Sequence, residues 1–503
     1  MIKLNNYKDI VIVKMVMLMY IGSQYLMKKY DEYLLDKGYS IEELVDKASD
    51  VLLKYMKKDS YAIICGPGNN GADGLSLAIK LHHMKKSVRI YIFDTLRTSY
   101  AFRYYLDKCQ QSGIKIEVFD DDIVDGLKEE LKDVEVVVDG IFGFGLNNAP
   151  TGLFKRVIDE INLLFEHDII SIDVPSGLDC NHGIPMGPVI CATQTITFNA
   201  LKNSFLNLDT RLYTGELIID FLDIEDVGAE VGLFELYEKK NAFMHLKKRL
   251  FNGYKGMYGK AGILAGCEQY KGAALLASKS AVYSGAGLVS LTSHQSVLDS
   301  LTSFVPEAIS IHENQFYDHE FSAVLAGCGI GLNQESYHKI ENIFNNFQVP
   351  LVIDGDGLTI LSEHLELLKD YKSSVILTPH IGEFKRLIHS EDIDDPLMLA
   401  KNFALDYKCT VVLKGPLTIV TDGYESYRIH SGNKAMATAG MGDVLAGLIV
   451  GLLAQGYSPI IAASLGTYIH GYCGDKLAKE AYTVIPSRLI EQIPTVMKEL
   501  LDR

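Results

Sequence analysis

Four stretches of this 503-residue chain carry residue types that could do chemistry. The most compact runs from Gly432 to Gly456, GNKAMATAGMGDVLAGLIVGLLAQG, and joins a glycine turn, one carboxylate and a long apolar helix. Gly440 and Gly442 let backbone N–H groups approach a ligand with no Cβ in the way. A helix beginning near Asp443 points its unpaired N–H groups and partial positive charge into that turn, which suits a phosphate. Asp443 could then take a proton from a hydroxyl that attacks a phosphoryl group. The plain structural reading makes it a helix cap.

The other three stretches are CGPGNNGADG with Asn69 and Asn70, VVVDGIFGFGL with Asp139, and IDVPSGLD with Asp173 and Ser176. Amide and carboxylate oxygens of these kinds can hold a hard cation. One aspartate after a strand is more often a cap, and one asparagine in a turn more often serves the backbone. Three polar loops ending three neighbouring strands make a site the stronger reading.

The elements that must position these residues follow from periodicity. Gln24 to Lys57 is helical, with Ser40 and Glu43 spaced as a capping box. Ala62–Cys65 reads as a buried strand, followed by the glycine loop and a helix from about Asp73. Strands at Val88–Phe93, Lys115–Phe119, Val134–Val138 and the DIISID run then alternate with helices, which predicts a doubly wound parallel sheet with its ligand crevice at the strand C-termini. Between Phe221 and Leu250 the chain becomes acidic and then charged, a connector. GKAGILAG opens a second α/β series of FSAVLAGCGIG, PLVIDGDGLTIL, SVILTPHIGEF and CTVVLKGPLTIVTDG. The expected organisation is an extension at 1–20, one domain at 21–235 and a second at 240–503.

Composition narrows the classes. A net charge of −16 argues against a nucleic-acid-binding surface. Eight cysteines without a CxxC pair indicate neither a zinc site nor a disulfide framework, and fit a reducing cytoplasm. The apolar run Ile10–Ile21 is interrupted by Lys14 and is too short to span a bilayer. It is read as an extra first strand or an early start, so no membrane partner is expected.

CGPGNNGADG, DGIFGFGL and IDVPSGLD, within a stretch from MKKYD to TFNALK, resemble the epimerase domain of the bifunctional NAD(P)H-hydrate repair enzymes. YKGAALLAS, GCGIGL, DGDGL, LTPHIGEF, LKGPLT, GNKAMATAGMGDVLAG and HGYCGD, in that order, resemble the ribokinase-like dehydratase domain of the same family. The resemblance implies a Rossmann-like first domain that interconverts the R and S epimers of hydrated NADH and NADPH (NADHX and NADPHX). It implies a second domain that spends ADP or ATP to dehydrate the S form, releasing phosphate and AMP from ADP, or ADP from ATP. Potassium would be held by Asn70, Asp139 and Ser176. Epimerase substrate would contact Asn69, Asn70, Gly71, Ala72 and Asp73, then Gly143, Phe144, Gly145, Leu146, Asn147, Asn148 and Ala149, and Asp173, a candidate catalytic residue as proton acceptor. Dehydratase substrate would contact Ala273, Gly329, Gly331, His380 and Asp443, with Asp443 catalytic. Adenine nucleotide would contact Lys414, Gly415, Pro416, Leu417, Thr418 and Gly442, with Mg2+ on its phosphates. A homo-oligomer is expected. The sequence departs from the family at Ala72 and Ala439, where glycine is usual, at Gly355, Gly357 and Tyr254, and in the loop FGFGLNNAPTG, which lacks an arginine.

On physical grounds a hydrated dihydropyridine needs a better leaving group than hydroxide, and phosphorylation supplies one that the ring nitrogen lone pair can expel. His380 reads as a packed loop histidine or a substrate contact, and His470, on an apolar helix, as structural. Two other classes stay open: a small-molecule kinase for the second half, since the GxGD turn serves other kinases, and a non-catalytic nucleotide-binding or partner-binding module for the first.

Overall fold

In the computed structural model, residues 10–12, 19–393 and 395–502 are described. They form two compact units, Met1–Phe234 and Glu235–Arg503. Most of the 1–20 extension lies outside the described residues, but Ile10–Ile12 is a strand.

The first unit is built on an eight-stranded sheet. Its order is Ile10–Ile12, Glu216–Asp220, Gln194–Phe198, Asp168–Ile172, Val136–Gly140, Ser60–Cys65, Ser87–Ile92, Lys115–Val118, and every neighbour is parallel. After the edge strand Ile10–Ile12 the chain enters the middle of the sheet at Ser60–Cys65, runs to one edge, then returns to Val136–Gly140 and proceeds the other way. That reversal opens a crevice between the loops after these two strands. Both faces of the sheet are covered, so its central strands are mostly apolar. Tyr61, Ile63 and Cys65 pack into one core and Ala62 and Ile64 into the other, the period-two alternation of a strand.

The glycine loop is shorter than the sequence reading placed it. The helix runs Asn69–His83, not from Asp73, so both asparagines belong to its first turn. Close packing explains the early start: a Cβ on Gly71 would fall 1.8 Å from the Gly66 carbonyl oxygen, so only glycine lets the helix begin so tightly against the strand end.

In the second unit the order is Ile309–Ser310, Leu288–Thr292, Lys260–Leu264, Ala323–Ala326, Leu351–Ile353, Val375–Leu377, Thr410–Leu413, all parallel. Ile419–Thr421 and Ser426–Ile429 then continue it antiparallel. Helix Met441–Ala454 is almost wholly buried and lies against helix Lys271–Tyr283. Gly447 permits this approach, since a Cβ there would sit 2.2 Å from the Ala277 carbonyl oxygen, and Ser280 Oγ donates to the Val444 carbonyl at 2.6 Å. This helix too starts early, at Met441, with Gly440 as its N-cap at a φ of 92°. Asp443 is therefore not the cap; it stands on the first turn. His470 is buried in helix Pro459–Leu477, and burial pushes its pKa down to about 4, so it is neutral.

Candidate active sites

In the first unit the loops after Ser60–Cys65, Val136–Gly140, Asp168–Ile172 and Gln194–Phe198 meet around a cavity of about 600 Å3. One wall is apolar, formed by Met27 and Leu34 of helix Gln24–Asp36 and by Leu44 and Val45. The sheet side is polar: Asn69, Asn70, Asp73, the loop Gly143 to Asn148, Asp173 and Lys202. Such a volume suits a nucleotide-sized ligand. Gly71, Ala72 and Ala149 are not among the lining residues. Gly71 is spent on the contact with Gly66, Ala72 is buried in the apolar core, and Ala149 packs toward Gly187.

Asp139 is completely buried and its carboxylate is saturated. Oδ1 accepts from Ser176 Oγ at 2.5 Å and from the Ile141 N–H at 3.2 Å; Oδ2 accepts from the Ser176 N–H at 2.9 Å and Ser171 Oγ at 2.8 Å. Burial raises its pKa and these bonds oppose the rise. Ser176 Oγ in turn accepts from the Phe142 N–H at 2.9 Å, which ties the two loops together. Asn70 stands against the same loop: a Cβ on Gly143 would lie 3.1 Å from its Oδ1, and its buried Nδ2 has no hydrogen-bond partner.

Asp173 adopts a left-handed backbone, φ 64°, rare outside glycine and a form of strain that collects at functional sites. Its Oδ1 accepts from the ammonium of buried Lys202 and from Thr197 Oγ1 at 3.0 Å, and Lys202 also donates to Thr197 Oγ1 at 2.8 Å. Sequence reasoning passed over this lysine, because a lysine at a strand end reads as solvated until the fold buries it. Asp31 was missed as well.

In the second unit four adjacent parallel strands end in Gly327–Gly331, Asp354, Thr378–His380 and Lys414. Asp354 is the hub. Its Oδ1 accepts from Thr378 Oγ1 at 2.7 Å and from Lys414 Nζ at 2.8 Å, while Cys328 Sγ donates to Oδ2 at 3.6 Å. Burial would raise the Asp354 pKa, but Lys414 and these donors win and hold it below the ordinary value. The pKa of Lys414 is raised: burial would depress it, and the Asp354 and Glu383 carboxylates outweigh that. Ligand atoms of Cys328, Asp354 and Asp443 lie within 4.8 Å of one another. Asp443 is pushed up to about 6, first by burial and then by the Asp354 charge. That is where a general base for neutral pH should sit.

Gly442 stands where its absent Cβ would meet Lys414 Nζ at 3.4 Å and Asp354 Oδ2 at 3.6 Å. Gly329 and Ala273 touch, since a Cβ on Gly329 would come 2.9 Å from that of Ala273; the Gly331 N–H donates to Asp356 Oδ2 at 2.8 Å. His380 is both cap and surface. Its Nδ1 accepts from the N–H groups of Gly382 at 3.0 Å and Glu383 at 3.2 Å, and the side chain is half exposed beside the Lys414 strand end. An accepting Nδ1 leaves the proton on Nε2. Gly415 and Pro416 are exposed on the turn after Lys414, with Leu417 and Thr418 half-buried; Arg428 donates to the Leu417 carbonyl. Asp354, Glu383 and Cys328 were not singled out from sequence. Asp354 ends its strand just as Asp139 and Asp173 nearly end theirs, and the same signal could have found it.

Comparison with known proteins agrees with this division. Residues 40–204 match the family described as YjeF-related protein N-terminus, and residues 261–495 the family described as NAD(P)H-hydrate dehydratase. A bifunctional NAD(P)H-hydrate repair enzyme of Thermofilum pendens is 33% identical over 450 residues, covering 84% of each chain. Its counterpart in Moorella thermoacetica is 30% identical over 471 residues, covering 87% of each. A ribokinase-like superfamily protein from Enterococcus faecalis is 29% identical with a TM-score of 0.50, over 53% of this chain and 96% of that one. The first unit is Rossmann-like and the second ribokinase-like, and the chain belongs to the bifunctional NAD(P)H-hydrate repair enzymes.

Proposed function

We propose that the first unit interconverts the R and S epimers of hydrated NADH and NADPH, and that the second dehydrates the S epimer at the expense of ADP or ATP. The observation that carries the reading is Asp443, a carboxylate tuned to about 6, on the first turn of a helix whose leading N–H groups face the Gly440–Gly442 turn. Those N–H groups and Lys414 stabilise phosphoryl charge, and Asp443 takes the proton of the substrate hydroxyl as it attacks. The phosphorylated hydroxyl then leaves as phosphate, expelled by the ring nitrogen lone pair. Ala273, Gly329, Gly331 and His380 contact the hydrate; Lys414 to Thr418 and Gly442 contact the nucleotide. Mg2+ suits the carboxylate oxygens here together with nucleotide phosphates, and would neutralise phosphate charge.

In the first unit, Asn69, Asn70, Asp73, Gly143 to Asn148 and Asp173 contact the hydrate. Asn70, Asp139 and Ser176 present only oxygen ligands, the right type for potassium, which would add positive charge beside the substrate. Since all four acceptor positions of Asp139 are occupied, potassium entry requires one of its N–H or O–H donors to withdraw. We assign the domains to 21–235 and 240–503, in a cytoplasmic homo-oligomer. Among the described residues no helix is long and apolar enough to cross a membrane.

The test is complete repair. Given ADP or ATP with Mg2+ and K+, the intact chain converts an R and S mixture wholly to NAD(P)H, read as recovery of dihydronicotinamide absorbance. Asp139→Ala consumes S and stalls with R left over. Clearance of both epimers at the parent rate would show that the first unit is not the epimerase; accumulation of a stable phosphorylated hydrate would make the second unit a kinase.

A further inference from the structure

The cavity of the first unit holds more carboxyl groups than the proposed chemistry has used. Asp31, Asp73 and Asp173 all line it, and Lys202 is the only cationic side chain among the lining residues. Asp173 is paired with that lysine. Three carboxyls around one buried ammonium cannot all be ionised, because like charges in a poorly solvated space force protons onto some of them. Asp73 and Asp31 are left to carry them.

Asp31 has an unusual position. On helix Gln24–Asp36 the residues at 27, 30, 31 and 34 share one face; Met27, Tyr30 and Leu34 there are buried, and all four line the cavity. A carboxyl on the apolar stripe of an amphipathic helix has no structural excuse: Lys28, Lys29, Glu32 and Asp36 of this helix all face solvent. Among the described residues the Asp31 carboxyl makes no hydrogen bond or ion pair. The helix that bears it is also fixed to the substrate loop. Gln24 Nε2 donates to the Leu146 carbonyl at 3.2 Å and to Asn147 Oδ1 at 3.0 Å, and the Gln24 N–H donates to Asn181 Oδ1 at 2.8 Å. Asp31 is thus held on the helix wall while Asp173 is held at the sheet end.

We propose that Asp31 is the proton donor of the epimerisation, working with Lys202-paired Asp173 as the acceptor. This rests on reading the first unit as the epimerase. The hydroxyl of the hydrate sits on the ring carbon next to the ring nitrogen. Asp31 gives its carboxyl proton to that hydroxyl, the C–O bond breaks with its electron pair leaving as water, and the nitrogen lone pair forms the C=N bond of an iminium ion. Water then adds to the opposite face of the same carbon, the C=N pair returns to nitrogen, and Asp173 takes the proton released. Nothing is oxidised or reduced. The site ends with Asp31 ionised and Asp173 protonated, the state from which the reverse epimerisation runs with the roles exchanged. Asp73 does not fit the donor role, since burial, then the charges of Asp173 and Asp31, hold its pKa well above the carboxylate range and lock its proton in place. Asp31 is pushed only to about 7, by burial first and then by Asp173, so its proton can leave and return at neutral pH.

The experiment uses the full chain and purified R epimer without nucleotide, so that the dehydratase is silent, and reads S formation by chromatography. Asp31→Asn lowers kcat about 100-fold or more with little change in KM, and Asp31→Glu restores part of the rate. The parent rate falls as pH rises through about 7, and this alkaline fall is absent in Asp31→Asn. Parent-like kcat in Asp31→Asn overturns the proposal, as does a loss confined to KM or a parent profile flat across pH 7. Dehydration of the S epimer by Asp31→Asn, with ADP and Mg2+, checks that the variant chain is folded. A parent chain that consumes S but never interconverts R and S would instead sink the epimerase reading itself.

Discussion

The cavity of the first unit collects three carboxyls around Lys202, whereas the second unit sets Lys414 between Asp354 and Glu383 and leaves Asp443 beside a glycine turn. Both sites occupy strand C-termini next to a reversal of strand order, and both open onto the start of a helix. The helix starts differ in what they can accept. At Asn69 the first turn is packed against its own strand end and carries two amide side chains, which shield its N–H groups from a bare anion. At Met441 a left-handed Gly440 swings the chain away and exposes bare N–H groups, the arrangement that receives phosphate. One architecture therefore supports epimerisation in one unit and nucleotide-dependent dehydration in the other.

The largest expected effect separates the two chemistries. Asp443→Asn keeps size and shape but removes the base, so nucleotide-driven dehydration falls roughly 10²–10⁴-fold while R and S interconversion stays at the parent rate. Near-normal phosphate release would mean that another group takes the proton; loss of interconversion as well would break the independence of the two sites.

A pair of glycine substitutions sharpens the contrast between the helix starts. Gly71→Ala forces a Cβ to 1.8 Å from a backbone oxygen, and should cost about 3 kcal/mol or more in the first unit with loss of epimerase activity. Gly442→Ala meets only ordinary contacts at 3.4 and 3.6 Å, so the second unit folds, and the methyl group crowding the turn raises the nucleotide KM about tenfold. Thermal unfolding and steady-state kinetics check both. A Gly71→Ala chain as stable as the parent would disprove the close packing.

The smallest effect is on stability against pH. The folded pKa of Asp443 is raised from 3.8 to about 6, so its contribution to stability is full below 3.8 and is lost as pH rises through about 6. Asp443→Asn stays neutral and escapes that loss. At pH 8 it should be more stable than the parent by about 1 kcal/mol after solvent screening, or roughly 2–4 °C in Tm, with no gain near pH 4. Dehydration by the parent should fall as pH drops through the same value, because the base becomes protonated. A Tm difference independent of pH would mean that Asp443 is not the shifted group.

Sequence alone determined the two α/β series, most strand positions within a residue or two, and the strand-end polar loops. Buried parallel strands are long apolar runs, and their ends are punctuated by glycine and aspartate, so local pattern carries that information. The same pattern put Asn69, Asn70, Asp139, Asp173 and Ser176 on one sheet edge and set Asp443 beside a glycine turn, whereas Lys414 entered only through the family resemblance. Helix starts were misplaced at Asn69 and Met441 because they are set by backbone geometry that apolar periodicity does not report: Gly71 packed on the Gly66 carbonyl, and Gly440 in a left-handed turn. The charge balance of each site was decided only by the tertiary structure. Lys202 pairs with Asp173 across 29 residues and Lys414 with Asp354 across 60, and Asp31 reaches the first cavity from helix Gln24–Asp36, far in sequence from Asp173. A pKa depends on burial and on charges a few ångströms away, and neither is a property of neighbours in the chain.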